Sequence, residues 1–490
     1  MKMRKSGILL HVSSLPSPYG IGTMGKEAYN FIDFLEKAGQ KVWQVLPIGH
    51  TSYGDSPYQA YSSYGGNPYF IDLDMLCEEG LLEKSELNAI SREIDNGRVD
   101  YGWLFSTRLP ILKKAAERFL KMPSAEFYTF TDENRLWLDD YAIFMAIKEK
   151  MNFKAREEWP IELRIKGEAA LLFSDDDTVR IYKAIQFLFF KQWFALKSYA
   201  NEKGIEIVGD LPIYCASDSA DVWSEGRAFL LDEGYVPYTV AGVPPDGFSP
   251  LGQRWGNPIY DWDWLERTKY MWWTERLGHT LKLFDTVRID HFRGFDSYFA
   301  IDSGEETAVN GKWIDGPGMK LFKAFERELG ENLPIIAEDL GYLTDSVKKL
   351  LSDTGYPGMK ILQFAFDERE SGDYLPHNYT KNSVCYVGTH DNDTAKGWYE
   401  AVAAFDREKA KKYFNLTKEE GIAKGLIRGA LSSVSSLCVI CMQDYLNLGS
   451  EGRMNTPSTA SGNWQWRVDK ERLTDTLAKE IYDMTKLYER

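Results

Sequence analysis

The sequence predicts an α/β fold, a (β/α)8 barrel, on three observations. Short apolar runs that end in polar turns recur eight times along the 490 residues. Helical patterns separate most of these runs, and strands that alternate with helices pair in parallel because each crossover helix covers one face of the sheet. Polar and acidic residues follow several of the runs, as expected where the strands of a barrel end.

Taken in chain order, the eight predicted strands lie between Gly7 and Asp444. They read GILLHV (7–12), KVWQVLPI (41–48), IEIVGDLPI (205–213), DTVRIDHF (285–292), LPIIAEDL (333–340), GMKILQF (358–364), SVCYVGTHD (383–391) and SLCVICMQD (436–444). A helix between the first two strands should end at Gly39, just before the second strand. Its apolar stripe consists of Ala28, Phe31, Ile32 and Leu35. A last helix, from about residue 473 to 488, should close the ring.

Two intervals are too long for a simple crossover. Residues 50–176, between strands 2 and 3, carry several helical patterns such as NRLWLDDYAIFMAIKEK, and residues 214–262, between strands 3 and 4, are rich in Gly, Pro and aromatics. Because unstructured loops of that length are uncommon in compact domains, both are predicted as insertions on a single barrel domain spanning 1–490. About 45 residues follow the eighth strand, too few for a C-terminal β-sandwich.

Charge and composition exclude several classes of binding partner. A formal net charge of −15 argues against nucleic acid, since clustered Lys and Arg drive contacts to phosphates. The N-terminal apolar run is too short for a signal peptide and no run approaches a membrane span, which predicts a cytoplasmic protein without a membrane partner. The five cysteines, including the CxxC of Cys438 and Cys441, are interpreted as free thiols in a reducing compartment rather than as a metal or redox site.

Polar clusters end four of the predicted strands. Strand 3 carries Asp210, strand 4 Arg288, Asp290 and His291, strand 5 Glu338 and Asp339, and strand 7 His390 and Asp391. Barrel chemistry is built at the carboxyl ends of the strands, so these side chains should meet at one mouth. Each could be a cap or turn residue if it stood alone, but the four clusters together predict a site that contains several carboxylates.

Converging carboxylates indicate cleavage of a glycosidic bond with retention, in which one attacks the anomeric carbon and another protonates the leaving oxygen. Asp290 fits the nucleophile because Arg288, on the same strand face, should orient it and lower its pKa. A structural salt bridge is the alternative for this pair. The acid is Glu338 or Asp339, since adjacent residues point to opposite faces. Asp391 would bind sugar hydroxyls, with His390 as a further hydroxyl ligand.

The segments VRIDHFRGF, IIAEDLG and VGTHDND resemble the catalytic regions of the α-amylase superfamily, and the whole chain resembles its 4-α-glucanotransferases, the amylomaltases or disproportionating enzymes. The likeness also covers HVSSLPSPYGIG near the start, GDSPYQAYSSYGGNPYFIDLD (54–74), PPDGFSPLGQRWGNPIYDW (244–262) and GRMNTPSTASGNWQWR (452–467). The Asn-His pair that serves calcium in true α-amylases is missing after Asp210. Neither a metal nor another cofactor is therefore expected.

This resemblance implies a role for each candidate residue. It makes Asp290 the nucleophile, Glu338 the acid/base and Asp391 the stabiliser of the transition state. The implied sugar contacts are Asp210, Arg288, His390, Ser56 and Tyr58 in the donor subsite, Gln253 and Trp255 near the acceptor sugar, and Tyr53 and Tyr101 at more distant glucan positions. The loop 244–258 is expected to overhang the cleft.

The implied reaction transfers an α-1,4-glucan from maltooligosaccharides, starch or glycogen to the 4-hydroxyl of an acceptor sugar. A retaining α-1,4-glucan hydrolase, in which water is the acceptor, is the alternative with the same chemistry. A non-catalytic glucan-binding protein is disfavoured because all three carboxylates are present. A metal-dependent barrel hydrolase, with His291, His390 and Asp391 as ligands, is disfavoured because strand 1 lacks the His-x-His common in that class.

Overall fold

The computed structural model describes residues 4–52, 54–90, 97–245, 249–341, 343–367, 372–459 and 461–490. Its strands are β1 (Lys5–Leu9), β2 (Val42–Gln44), β3 (Glu206–Leu211), β4 (Thr239–Val243), β5 (Gln253–Pro258), β6 (Thr286–Ile289), β7 (Ser297–Asp302), β8 (Lys312–Asp315), β9 (Ile335–Ala337), β10 (Gly358–Ile361), β11 (Ser383–Tyr386) and β12 (Leu437–Cys441). Its helices are α1 (Lys26–Lys37), α2 (Leu73–Glu78), α3 (Lys84–Ile90), α4 (Tyr101–Phe119), α5 (Ala125–Glu133), α6 (Arg135–Lys150), α7 (Glu168–Phe173), α8 (Asp177–Glu202), α9 (Ala220–Ser224), α10 (Trp262–Arg267), α11 (Met271–Leu283), α12 (Met319–Leu329), α13 (Asp345–Thr354), α14 (Ala395–Ala401), α15 (Ala404–Phe414), α16 (Ile422–Leu431), α17 (Met442–Tyr445) and α18 (Asp475–Leu487).

Eight of these strands close into the predicted barrel. Its order around the ring is β1, β2, β3, β6, β9, β10, β11 and β12, with parallel pairing between neighbours. Gly7 in β1 lies opposite Val42 on one side and Val439 on the other, which closes the ring. The (β/α)8 barrel is therefore confirmed. Seven of its strands lie within the predicted runs, and β1 overlaps the first run but begins two residues before it, at Lys5.

Alternate residues of each barrel strand point inward and outward. One buried cluster fills the interior and takes residues from most strands, among them Val42, Val208, Ile336, Met359 and Val384. The neighbouring positions, such as Val287 and Ile289 of β6, belong to the larger cluster between the strands and the helices. Arg288 lies between those two outward residues, and its Nε is 3.4 Å from Met359 Sδ. The charged face of β6 therefore points into the barrel.

The helix predicted between the first two strands is α1, whose stripe Ala28, Phe31, Ile32 and Leu35 is buried. The chain leaves it through Gly39, where φ is +69°, a region that favours glycine. The predicted last helix is α18, and it packs beside α1, with Lys37 Nζ 2.7 Å from Asp475 Oδ1. The first and last helices of the barrel are therefore neighbours.

The two long intervals contain structure of their own. Residues 50–176 include α2 to α7, and residues 214–262 include α9, β4, β5 and the start of α10. A four-stranded antiparallel sheet has the order β5, β4, β7, β8. Its strands β7 and β8 follow β6 in the chain and lie outside both predicted insertions. None of the eight runs in the sequence predicts them.

All five cysteines are free thiols, and Cys438 and Cys441 are buried in β12. Among the described residues, no helix combines the length and the apolar character that crossing a membrane requires.

Candidate active site

The interior of the barrel contains a buried cation between two carboxylates. Arg288 Nη1 donates to both carboxylate oxygens of Asp210, at 2.8 and 2.7 Å, and to Asp290 Oδ1 at 2.9 Å. Asp210 and Arg288 are directly paired in the register of β3 and β6, so they share the inward face. Asp290 follows the last residue of β6 and emerges at the mouth, where the guanidinium fixes its carboxylate.

Glu338 follows the end of β9 and is held by backbone donors. Its Oε2 accepts from the amide of His291 at 2.7 Å and its Oε1 from the amide of Leu340 at 2.8 Å. His291 has φ 49°, an uncommon conformation for a residue other than glycine, and this turn aims its N–H at Glu338. The competing candidate, Asp339, accepts from the amide of Met359 at 2.6 Å. Asp339 therefore binds the neighbouring strand while Glu338 faces the mouth.

Burial raises the pKa values of two carboxyls at this mouth, those of Glu338 and Asp290. The pKa of Glu338 is raised to about 8, chiefly by burial and in addition by the charge of Asp290, while Arg288 opposes the shift. Burial also raises the pKa of Asp290 to about 7, against the guanidinium of Arg288. The expected lowering of the Asp290 pKa is therefore wrong as a net effect, although Arg288 acts in the predicted direction. Since Asp290 has the direct guanidinium contact, it loses its proton before Glu338 does.

Asp391 follows β11 and is positioned by two residues that the sequence analysis had not singled out. Asn455 Nδ2 donates to Asp391 Oδ1 at 2.7 Å. Arg453 donates to the main-chain oxygens of Asp391 and Asn455, both at 2.8 Å. Both residues lie in the segment 452–467 that carries the family resemblance, so a search for polar residues just after the eighth strand could have found them.

Tyr58 and His390 connect the loop after β2 to the barrel interior. Tyr58 Oη donates to Asp210 Oδ2 at 2.8 Å and lies 2.8 Å from His390 Nε2. The two rings stack with their centroids 5.3 Å apart. Burial lowers the pKa of His390, which favours the neutral ring. Since the tyrosine hydroxyl donates to Asp210, the imidazole Nε2–H donates to the tyrosine oxygen.

A cleft of about 1020 Å³ opens over this mouth and is lined by Asp290, Glu338 and Asp391. Five of the predicted sugar-binding residues also line it: Ser56, Tyr58, Tyr101, Gln253 and Trp255. Asp210, Arg288 and His390 are buried behind this lining and contact it through Asp290 and Tyr58. Tyr53 lies outside the described residues, as do residues 246–248 of the loop 244–258.

The strand β5 forms one wall of the cleft. Its residues Gln253 and Trp255 share a face, and Trp255 Nε1 donates to Gln253 Oε1 at 3.2 Å. The indole meets the His291 ring edge to face, with centroids 4.9 Å apart and planes at 87°. Trp255 therefore stands next to the residue whose amide holds Glu338. Tyr101, on the wall formed by α4, donates its hydroxyl to the main-chain oxygen of Trp464 at 2.9 Å.

The part of the chain that the structure describes contains no group of three or more His, Cys, Asp or Glu side chains arranged to hold a metal ion. The prediction that neither a metal nor another cofactor is used stays a prediction.

Comparison with known proteins identifies extensive similarity. A family model described as 4-alpha-glucanotransferase matches residues 10–474. A 4-alpha-glucanotransferase of Clostridium butyricum is 51% identical over 486 residues, which cover 98% of this chain and 100% of that protein. The chloroplastic/amyloplastic 4-alpha-glucanotransferase of Solanum tuberosum is 42% identical over 502 residues, or 99% of this chain and 86% of that protein. Among solved structures, an amylomaltase from Streptococcus agalactiae in complex with acarbose superposes with a TM-score of 0.96 at 43% identity, over 99% of both chains.

Proposed function

The chain belongs to the 4-alpha-glucanotransferase family, and from this premise we propose that it moves α-1,4-glucan segments between maltooligosaccharides, starch or glycogen by a double displacement on Asp290. One observation carries the assignment of roles. Asp290, Glu338 and Asp391 line the cleft, and among the contacts of the described residues Asp290 is the one of these three whose carboxylate meets a guanidinium, so it ionises before Glu338, which keeps its proton. Two carboxyls of unequal pKa are what an acid and a nucleophile require.

In the first half of the reaction, an ionised Asp290 oxygen bonds to the anomeric carbon as the bond from that carbon to the leaving oxygen breaks. Glu338 gives its proton to that oxygen, and the shortened glucan leaves with a free 4-hydroxyl. Arg288 holds the attacking carboxylate in place through Nη1. Asp391 lines the same cleft and would bind the hydroxyls of the distorted sugar ring.

In the second half, the 4-hydroxyl of an acceptor sugar attacks the anomeric carbon of the glucosyl-Asp290 ester. Glu338, now ionised, takes the hydroxyl proton, and Asp290 leaves as a carboxylate. Configuration at the anomeric carbon is retained because it inverts twice. Ser56 and Tyr58 would contact the donor sugar, while Gln253 and Trp255 of β5 would hold the acceptor.

The test is to incubate the pure protein with maltotriose and to resolve the products by size. The proposal expects glucose together with a ladder of longer maltooligosaccharides, at a nearly constant number of reducing ends. A steady rise in reducing ends without longer products would instead identify a hydrolase. Unchanged maltotriose would leave only a glucan-binding protein.

A further inference from the structure

A third residue of β5 faces the cleft beside Gln253 and Trp255. Gln253, Trp255 and Asn257 keep this orientation across an irregularity in the pairing of β5 with β4, where Gly256 has φ +80°. All three line the cleft, while Arg254 and Gly256 between them do not. Asn257 differs from the other two because only 5% of its surface is exposed. Its amide is therefore enclosed at the base of the wall.

The Asn257 amide bridges two other segments. Its Nδ2 donates to the main-chain oxygen of Cys215, beyond β3, at 2.8 Å, and its Oδ1 accepts from Gln59 Nε2 at 2.9 Å. A main-chain oxygen can only accept, so the Cys215 contact fixes which end of the Asn257 amide is the donor. The Oδ1 is thereby left for Gln59, and the bridge has a single satisfied arrangement.

Gln59 belongs to the loop that carries Ser56 and Tyr58. Within this loop the amide of Gln59 donates to the oxygen of Ser56 at 3.0 Å, and the oxygen of Gln59 accepts from the amide of Ser52 at 2.9 Å. Tyr58, the residue before Gln59, belongs to the same loop, and its hydroxyl contacts Asp210 and His390. The main-chain bonds hold this loop in place independently of Asn257, so loss of the bridge would move the β5 wall rather than the donor side of the cleft.

We infer that Asn257 is a positioning residue that holds the acceptor wall at a fixed place relative to the donor loop, and that the Gln59–Asn257 bridge thereby favours sugar over water as the acceptor. The inference rests on the proposed function. Water needs no positioning by the wall, whereas the 4-hydroxyl of a sugar attacks only when its ring is held in line with the anomeric carbon. The bridge should matter after the glucosyl-Asp290 ester has formed.

The experiment compares Gln59→Met, Asn257→Ala and the double variant with the wild type. Two quantities are measured: the ratio of glucose transferred to reducing ends created, from maltotriose, and the rate of fluoride release from an activated glucosyl fluoride donor in a single turnover. We expect each single variant to lower the ratio about five-fold, the size of one neutral hydrogen bond, with an unchanged rate of fluoride release. The double variant should lower the ratio no further, because both substitutions remove the same bridge.

Asn201→Ala is the matched control. Asn201 also joins a main-chain oxygen, that of Ile205 at 3.1 Å, to a side chain, Asp285 at 2.8 Å, but it lies at the opposite end of the barrel from the cleft. The ratio of glucose transferred to reducing ends created should be the same for Asn201→Ala as for the wild type. If Asn257→Ala does not fold, as judged by circular dichroism, Gln59→Met carries the test alone.

Three results would overturn the inference: an unchanged ratio, a fall in fluoride release as large as the fall in transfer, or effects that multiply in the double variant. Multiplying effects would mean that Gln59 binds sugar directly and that Asn257 supports the fold. Failure of the proposed function is seen separately, because the wild type itself would then form no longer oligosaccharides.

Discussion

Arg288 is one cation between two acidic side chains, and this imbalance has a chemical use. Its single Nη1 contacts Asp210 and Asp290, so the group carries one net negative charge when both carboxyls are ionised. An isolated buried ion pair adds little stability because of the cost of desolvation. A net negative charge at the mouth would, however, stabilise the positive charge that develops on the sugar ring as the glycosidic bond breaks. The arrangement therefore suits catalysis better than folding.

Substitution of the two reacting carboxyls should separate their roles. Asp290→Asn removes the attacking charge at nearly constant volume, and we expect turnover of maltotriose to fall by at least about 10³-fold with an unchanged melting temperature. Glu338→Gln should show a similar loss with maltotriose but should retain measurable fluoride release from an activated fluoride donor, whose departure needs no protonation. Turnover near the wild-type rate in either variant would reject the assignment.

The pH dependence of kcat/KM should follow from the ionisation of Asp290 and Glu338. Attack requires Asp290 ionised, so kcat/KM should fall as the pH drops through the Asp290 pKa of about 7. Protonation of the leaving oxygen requires Glu338 protonated, so kcat/KM should fall again as the pH rises through the Glu338 pKa of about 8. The two limbs belong to the interacting pair rather than to either residue alone.

Arg288→Lys tests the acid limb, since a point charge on a flexible stem cannot reproduce the guanidinium contact. With less support for the ionised form, the Asp290 pKa should rise, and the acid limb of kcat/KM for maltotriose should move to higher pH. A wild-type profile in this variant would show that the arginine only supports the fold.

At the scale of single residues, the sequence was sufficient to place Asp290 and Asp391 after recognisable strands, at the mouth of the barrel, whereas the choice of Glu338 over Asp339 came from the family resemblance. Asn455 and Asn257 were missed because the sequence places neither near its partner. The net direction of the Asp290 pKa shift could not be predicted from the sequence either, since it depends on how deeply the folded barrel buries the carboxyl. A sequence shows a neighbouring charge but not the loss of water.

At the scale of elements, the barrel strands were predictable and the side sheet was not. The barrel strands stand out because each joins an apolar run to a polar end. β7 is apolar on both faces over residues 298–301, so it lacks the alternation of a half-exposed strand, and β8 has only four residues, all exposed. Both lie between β6 and α12, in an interval for which the sequence predicted no strand. The missed pair matters because β7 holds β4, which in turn holds β5 and its cleft residues.

A substitution in β5 tests the proposed role of this strand as the wall that holds the acceptor sugar. Trp255→Ala should leave the first half of the reaction intact and remove the stacking surface for the acceptor ring. We expect transfer from maltotriose to fall about ten-fold more than hydrolysis, which equals a loss of about 1.4 kcal/mol in holding the acceptor. The measurement is the ratio of glucose transferred to reducing ends created.

A constant ratio with both rates reduced together would show that the Trp255 wall only supports the fold. The preference for sugar over water would then have to arise in another part of the cleft.

At the scale of the whole molecule, Arg490 ties the two ends of the barrel ring together. Its guanidinium donates to the main-chain oxygens of Lys5 at 3.0 Å, Leu431 at 2.7 Å, Ser433 at 2.9 Å and Ser435 at 3.1 Å. Lys5 begins β1, and Ser435 lies just before β12. These contacts are at the amino ends of the strands, on the side of the barrel away from the cleft.

Arg490→Ala should therefore reduce stability without changing catalysis. Hydrogen bonds from a charged donor are worth more than neutral ones, and we expect the free energy of unfolding to fall by about 2 kcal/mol. Thermal melting followed by circular dichroism measures the loss, and kcat for maltotriose should equal that of the wild type.

Arg327→Ala is the control, because Arg327 is exposed and contacts only the adjacent Glu328 at 2.7 Å in the bonds described. Equal melting temperatures for the two variants would contradict the role given to Arg490.

The cleft draws its walls from Ser56, Asp290 and Glu338 as well as from the segment that ends at Gln465. During synthesis on the ribosome, a nascent chain can present the nucleophile long before Asp391 and its partner Asn455 have been made. The wall contributed by residues 455–459 and 461–465 arrives only after all eight barrel strands have been made. Catalytic competence should therefore appear only after Gln465 has been made, and products terminated before Asn455 should be inert towards glucans even when part of the barrel has formed.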